Sequence, residues 1–160
     1  MGNNKSAYQI ACDEADKIVE MEVGAFKVLT PNRKITKLSS FIKEYVKSQK
    51  LIAKAQGNNE MMLSGEYGEL LSSTRARMFS SVMSEEEKWM FVSHLKETYD
   101  KSLKVSESDE LLKIYDYLTS ACTLLSMSFS PELDAEISYI RESCEFVINK
   151  AYGTINENER

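Results

Sequence analysis

The sequence has few of the residues that interrupt helices and none of the long apolar runs that cross membranes. It contains 2 prolines and 6 glycines among 160 residues, so most of the chain can adopt regular secondary structure. It has no run of about 18 consecutive apolar residues, and its first residues lack the short apolar stretch of a secretory signal. We therefore expect a cytoplasmic protein.

Cysteine and histidine are also scarce, which argues against metal, disulfide and nucleophile chemistry. Cys12, Cys122 and Cys144 have no paired spacing, and each falls in a helical apolar pattern, where a thiol behaves as a small hydrophobe. His94 is the single histidine, so a Ser-His-Asp or Cys-His arrangement has little to build on. The sequence predicts no catalytic residues, no metal ligands and no cofactor, and it makes His94 a surface or half-buried structural residue.

What the chain does have is the composition of a folded helical protein. Hydrophobic residues make up 42% of it and charged residues 28%, proportions far from those of disordered chains. Helical periodicity recurs along the sequence and strand alternation does not. The sequence predicts an all-α, single-domain bundle of five or six helices over residues 1–153, followed by a frayed polar tail over residues 154–160.

Punctuation in the first half of the chain separates three predicted segments. The first helix covers residues 6–29 and is closed by Pro31, because the residue before a proline is pushed out of helical geometry. The second helix covers about residues 35–56 and ends at a Gly-Asn-Asn turn. Residues 60–83 are interrupted by glycines, and we expect a loop through Gly65 followed by a helix.

The second half of the chain carries clear signals for helix starts. Ser84 and Glu87 form a capping box, in which each side chain satisfies an orphan backbone donor of the other residue. Ser106 and Asp109 repeat this pattern in a weaker form. Ser130 followed by Pro131 is typical of a cap and the first helical position.

Two adjacent apolar seams predict an antiparallel helical hairpin as the core, over residues 109–128 and 131–152. The apolar residues recur in steps of three and four in both segments. The seam positions are Leu111, Tyr115, Leu118, Cys122 and Leu125 in the first helix, and Leu133, Ile137, Ile140, Cys144, Val147 and Ala151 in the second. In other predicted helices, we expect Tyr8, Ile18 and Leu103 to point inward as well.

Positive charge is concentrated in one stretch of an acidic chain. Residues 27–54 hold eight basic side chains and one acidic, a balance of +7, whereas the whole chain carries −5. Four lysines of the second helix fall within an arc of about 60° opposite its apolar side; they are Lys43, Lys47, Lys50 and Lys54. This lysine stripe is either a solvated face or a docking face for an acidic protein or for the acidic half of another copy. Nucleic acid fits less well, because the stripe lacks interleaved aromatics.

The first six residues match the N-myristoylation pattern, with Gly2 after the initial methionine and Ser6 four positions later. A lipid together with the lysine stripe would supply the two signals that stable membrane attachment requires. We expect no membrane partner unless Gly2 is lipidated.

Four acidic residues form a second pattern, E-x-x-E followed by E-x-x-D. They are Glu66, Glu69, Glu97 and Asp100, and Glu69 lies in the local sequence Gly-Glu-Leu-Leu. The pattern resembles the magnesium-binding motif of the all-helical nucleotide pyrophosphohydrolases of the MazG and dimeric dUTPase type. In that family, two carboxylates per helix, three residues apart, face the same metal. The resemblance implies that these four residues would be metal ligands.

The sequence favours binding over catalysis. The main expectation is a small non-catalytic interaction or regulatory protein that binds another macromolecule through the lysine stripe. The partner would be an acidic protein or a second copy in a homodimer. The alternative is the magnesium-dependent nucleotide pyrophosphohydrolase that the acidic pattern resembles.

Overall fold

The computed structural model describes residues 5–126 and 129–159, with side chains up to residue 153, and its regular elements in these ranges are all α-helices. Six helices are present there: α1 (Ala7–Lys27), α2 (Pro31–Lys54), α3 (Asn59–Ser81), α4 (Glu85–Ser102), α5 (Ser108–Leu125) and α6 (Pro131–Glu159). The predicted all-α fold of five or six helices is confirmed. In the described part of the chain, no helix combines the length and apolarity needed to cross a membrane.

Two helices begin at capping boxes. At the start of α4, the Glu87 amide donates to Ser84 Oγ at 3.1 Å, and the Ser84 amide donates to Glu87 Oε1 at 2.9 Å. This box was predicted and is confirmed. At the start of α1, Ser6 and Gln9 make the same reciprocal pair at 3.2 and 3.3 Å. Each box satisfies two backbone donors that would otherwise lack partners.

Two other predicted helix starts are wrong. Helix α2 begins at Pro31 rather than near Ile35, because Thr30 is its N-cap and accepts a hydrogen bond from the Arg33 amide at 3.4 Å. Proline suits this first position, where its missing N–H costs nothing. Helix α5 has Glu107 as its N-cap, without a side-chain capping bond, so the predicted box at Ser106 does not form.

The predicted loop through Gly65 is also wrong, because α3 is continuous from Asn59 to Ser81. Gly65 faces α2 closely: a Cβ atom built on it would lie 2.7 Å from Ile52 Cγ1 and 3.3 Å from the Ser48 carbonyl oxygen. A Cβ atom on Gly68 would lie 2.5 Å from Ser48 Oγ. These glycines serve close packing between two helices rather than a turn.

The chain divides into two compact units, residues 1–83 (unit 1) and residues 84–160 (unit 2). In unit 1, α3 packs against both α1 and α2. An aromatic cluster joins the three helices: the rings of Phe26 and Phe79 stack with centroids 4.6 Å apart, and the Phe41 ring lies 5.2 Å from Phe79. The single domain over residues 1–153 stays a prediction.

Unit 2 consists of the α5–α6 hairpin with α4 packed on both helices. Leu111 near the start of α5 shares a core cluster with Val147 and Ala151 in the second half of α6. Cys122 near the end of α5 donates to the Ile137 carbonyl in the first half of α6 at 3.6 Å. The two helices are therefore antiparallel, as predicted. All predicted seam positions are buried except Tyr115, which is half-buried.

Three side chains that were expected to point inward are exposed: Tyr8 by 71%, Ile18 by 37% and Leu103 by 47%. Tyr8 lies in the first turn of α1, and Leu103 is the C-cap of α4, so neither has neighbouring turns on both sides to cover it. The predicted end of the last helix at Gly153 is wrong too. Helix α6 continues to Glu159, whereas the frayed polar tail over residues 154–160 stays a prediction.

We predict that Leu118→Ala and Ile140→Ala each lower the free energy of unfolding by about 2 to 5 kcal/mol, the usual cost of emptying a buried aliphatic site. Both side chains are at most 2% exposed. Phe146→Ala is the matched control, because its side chain is 52% exposed on α6. Denaturant titration measures all three, and equal losses would contradict the hairpin packing.

We predict opposite effects for alanine at two helical glycines. Gly65→Ala should destabilise the protein by about 1 to 3 kcal/mol, because the new methyl group overlaps α2. Gly24→Ala should stabilise it by up to about 1 kcal/mol, because alanine is the better helix former and a Cβ atom there meets nothing within 4 Å. Thermal unfolding followed by circular dichroism checks both signs.

Candidate interaction surface

The lysine stripe lies on the outer face of one continuous helix, α2. Lys43, Lys47, Lys50 and Lys54 are all exposed, whereas Leu38, Phe41 and Ile42 on the opposite side are buried. The helix is held by α3, which packs against that buried side. The structure therefore presents the four predicted partner-binding residues together to solvent.

Charge is divided unequally between the two units. Unit 1 holds 12 basic and 9 acidic residues, a net charge of +3, and unit 2 holds 8 basic and 16 acidic residues, a net charge of −8. Opposite net charges on two parts of one chain favour association with oppositely charged surfaces. The stripe belongs to unit 1, and its four lysines are exposed.

A groove of about 190 Å³ runs between α2 and α3 beside the stripe. Lys47 belongs both to the groove and to the stripe. The lining residues are Glu44, Lys47, Ser48, Gly68, Leu71, Ser72 and Arg75. At about 190 Å³, the groove is large enough to receive one side chain of a partner.

Arg75 at this groove forms an ion pair within unit 1. Its Nε and Nη2 atoms donate to the two carboxylate oxygens of Glu22 at 3.0 and 2.8 Å. The hydrogen bonds that Arg75 donates to Glu22 raise the pKa of Arg75, and its guanidinium lies 5.5 Å from the Phe41 ring centroid. This fork-shaped pair ties α3 to α1. Lys47 is therefore the cation of the groove that faces solvent.

The four acids of the pyrophosphohydrolase-like pattern fall in different units. Glu66 and Glu69 belong to α3 in unit 1, and Glu97 and Asp100 belong to α4 in unit 2. Glu69 is half-buried and the other three are exposed. Over residues 5–126 and 129–153, no group of three or more His, Cys, Asp or Glu side chains is placed to hold a metal ion. The enzyme alternative stays a prediction.

Two other candidate residues, His94 and Ser6, make contacts within the fold. His94 is half-buried, and its Nε2 lies 3.0 Å from the hydroxyl of the buried Tyr117, which matches the structural role expected from the sequence. Ser6 of the myristoylation pattern is the N-cap of α1. Gly2 lies outside the described residues.

The three cysteines are free thiols. Burial raises the pKa of Cys122 to about 12 and the pKa of Cys144 to about 11. Desolvation penalises the thiolate, so both groups stay protonated at neutral pH. Cys12 in α1 is only half-buried.

Sequence reasoning missed a set of large apolar side chains that are exposed. Tyr139, Phe146 and Tyr152 on α6 are exposed by 66%, 52% and 56%, and Met21 and Val28 at α1 are exposed by 85% and 84%. These residues lie off the three-four seams of their helices. That offset is the signal that could have identified them, since the seam residues already fill the core.

Comparison with known proteins adds no family to these observations. No family model matches the chain, and no curated protein or solved structure matches it. The candidate surface is therefore argued from its own geometry and charge.

We predict that Cys12 alone reacts quickly with iodoacetamide in the native protein. At about pH 8, Cys122 with a pKa of about 12 is thiolate in roughly one molecule in ten thousand, and Cys144 with a pKa of about 11 in roughly one in a thousand. Both should therefore react only as the protein unfolds. Mass spectrometry counts the modified thiols. A Cys12→Ser variant should show no fast reaction, and all three thiols should react in denaturant. Fast modification of all three in the folded protein would contradict the described burial.

Proposed function

We propose that this protein is a small non-catalytic helical interaction protein with a regulatory role, and that it binds an acidic protein partner through the lysine stripe. The observation that carries the proposal is the exposure of all four lysines on one helix face in a chain with a net charge of −5. From Lys43 to Lys54, the stripe spans about 16 Å at ~1.5 Å per residue. That length suits the side of an acidic helix or loop.

The physical role of such a surface is to speed encounter and to select partners. Complementary charge raises the association rate and disfavours partners of like charge, and both effects weaken as salt screens them. The groove next to Lys47 supplies a second element, because an inserted side chain would slow dissociation. Charge and groove together favour an acidic segment that can insert one side chain.

The surroundings of the reactive groups support binding rather than catalysis. Arg75 is paired with Glu22, and His94 is bonded to Tyr117. The pKa of Cys122 is raised by burial, which makes its thiol a poor nucleophile. Each of these groups is engaged in packing or pairing within its own unit.

We predict that Lys47→Glu with Lys50→Glu abolishes capture of the partner and leaves stability within about 0.5 kcal/mol, because exposed charges contribute little to folding. Wild-type and variant proteins would be used as baits in extracts at several salt concentrations, with quantitative mass spectrometry of the bound proteins. Wild-type capture of an acidic protein should fall as salt rises.

The matched control is Lys101→Glu with Lys104→Glu, which makes the same charge change at two exposed lysines in unit 2. This variant should retain the partner. If both variants lose the partner equally, net charge rather than the stripe explains binding. If neither variant loses it, the stripe is a solvated face and the proposed function is wrong.

A further inference from the structure

The outer face of α6 combines acidic and aromatic side chains on one side of a helix. Glu132, Tyr139, Glu142, Glu145 and Phe146 are all exposed, and at 100° per residue they fall within an arc of about 140°. Tyr139 and Phe146 are seven residues apart and therefore lie nearly one above the other. Large aromatics exposed by 66% and 52% at such spacing are typical of a surface that another molecule covers.

Few basic side chains lie on this face to neutralise its carboxylates. Glu136 on the adjacent side of α6 pairs with Lys96 at 2.8 Å. Lys150, one turn beyond Phe146, is half-buried and donates to the carbonyls of Ser102 and Leu103 at 3.1 and 2.9 Å. Arg141 is the exposed base at the edge of the face. Three carboxylates against one guanidinium leave the face acidic.

This face is opposite in charge to the lysine stripe, similar to it in length and complementary to it in chemistry. From Glu132 to Glu145 it spans about 20 Å, compared with about 16 Å for the stripe. Carboxylates can pair with lysine ammonium groups, and exposed aromatic rings attract the same cations through their negative faces. The units that carry the two faces have net charges of −8 and +3. Each molecule therefore carries both halves of a complementary pair of surfaces.

We infer that the acidic partner of the lysine stripe is a second copy of this chain, which binds through the outer face of its α6. This inference rests on the proposed function, since it uses the same stripe. Lys47 and Lys50 of one copy face Glu142 and Glu145 of the other, and Tyr139 and Phe146 lie against the lysine side chains. The alternative surface for a second copy is the exposed apolar pair Met21 and Val28 at α1.

A charge-swap experiment with the full-length chain tests the inference by sedimentation velocity. Variant K carries Lys47→Glu with Lys50→Glu, and variant E carries Glu142→Lys with Glu145→Lys. The wild type should self-associate at an ionic strength of about 0.02 M and dissociate at about 0.5 M, where screening is strong. Variants K and E should each be monomeric at concentrations at which the wild type is not, because each places like charges opposite one another.

Mixing the two variants supplies the decisive result. The acidic α2 of variant K matches the basic α6 of variant E, and the unchanged faces also match, so the mixture should associate where neither variant does alone. A chain with all four changes should regain self-association. Variant E also reduces the net negative charge of the chain from −5 to about −1, and a net charge closer to zero by itself promotes association. Loss of association in variant E therefore cannot come from general repulsion between molecules.

Two further variants separate the possible surfaces. Tyr139→Ala with Phe146→Ala should weaken self-association at least several-fold without any change in charge. Met21→Glu with Val28→Glu should leave it unchanged. Circular dichroism of every variant checks that the fold is retained.

Three outcomes would overturn the inference. A wild type that is monomeric at low salt overturns it, and the proposed function still stands if the stripe variant loses an acidic protein from extracts. Association that survives both charge variants and is lost in Met21→Glu with Val28→Glu places the interface on α1. Failure of the mixed variants to associate, when each alone is monomeric and folded, shows that the two faces do not bind one another.

Discussion

The close packing of α3 against α2 is the constraint on which unit 1 depends. Gly65 allows it, because any larger side chain would overlap Ile52 and the Ser48 carbonyl. Once the helices approach this closely, α2 must bury the side that carries Leu38 and Ile42, and its lysines are left on the outside. The same approach places Gly68 and Ser48 on the lining of the groove beside Lys47. A packing requirement therefore orients the charged surface.

Helix α6 of unit 2 buries the side chains of its seam and exposes a second set of side chains on its outer face. Residues at steps of three and four fill the hairpin core, including Cys144, whose pKa is raised by burial. The aromatics between those steps, Tyr139 and Phe146, point away from the hairpin because the core is already filled. Their exposure is a consequence of the regular seam rather than a fault in it, and it leaves α6 with an outer face that can take part in recognition.

The two units differ in the sign of their net charge. Positive charge is clustered in unit 1 and negative charge dominates unit 2. Exposed charges contribute little to folding, so this arrangement has its main effect on encounters between molecules. The proposed binding through the lysine stripe would use the excess charge of unit 1, and self-association would also use that of unit 2. Arg75 links α3 to α1 within unit 1, and His94 links α4 to α5 within unit 2.

Local signals in the sequence determined the helical class, the capping box at Ser84, the two seams of the hairpin and the clustering of the four lysines, because each depends on residues within a few turns of one another. Tertiary structure decided the rest. Gly65 looks like a loop until the neighbouring helix is seen, since only the approach of Ile52 explains a glycine there. The pairing of Arg75 with Glu22, 53 residues apart, has no local pattern. The exposure of Ile18, which its own helical pattern predicts to be inward, could not be read from that helix, because burial depends on which neighbours fill the core first.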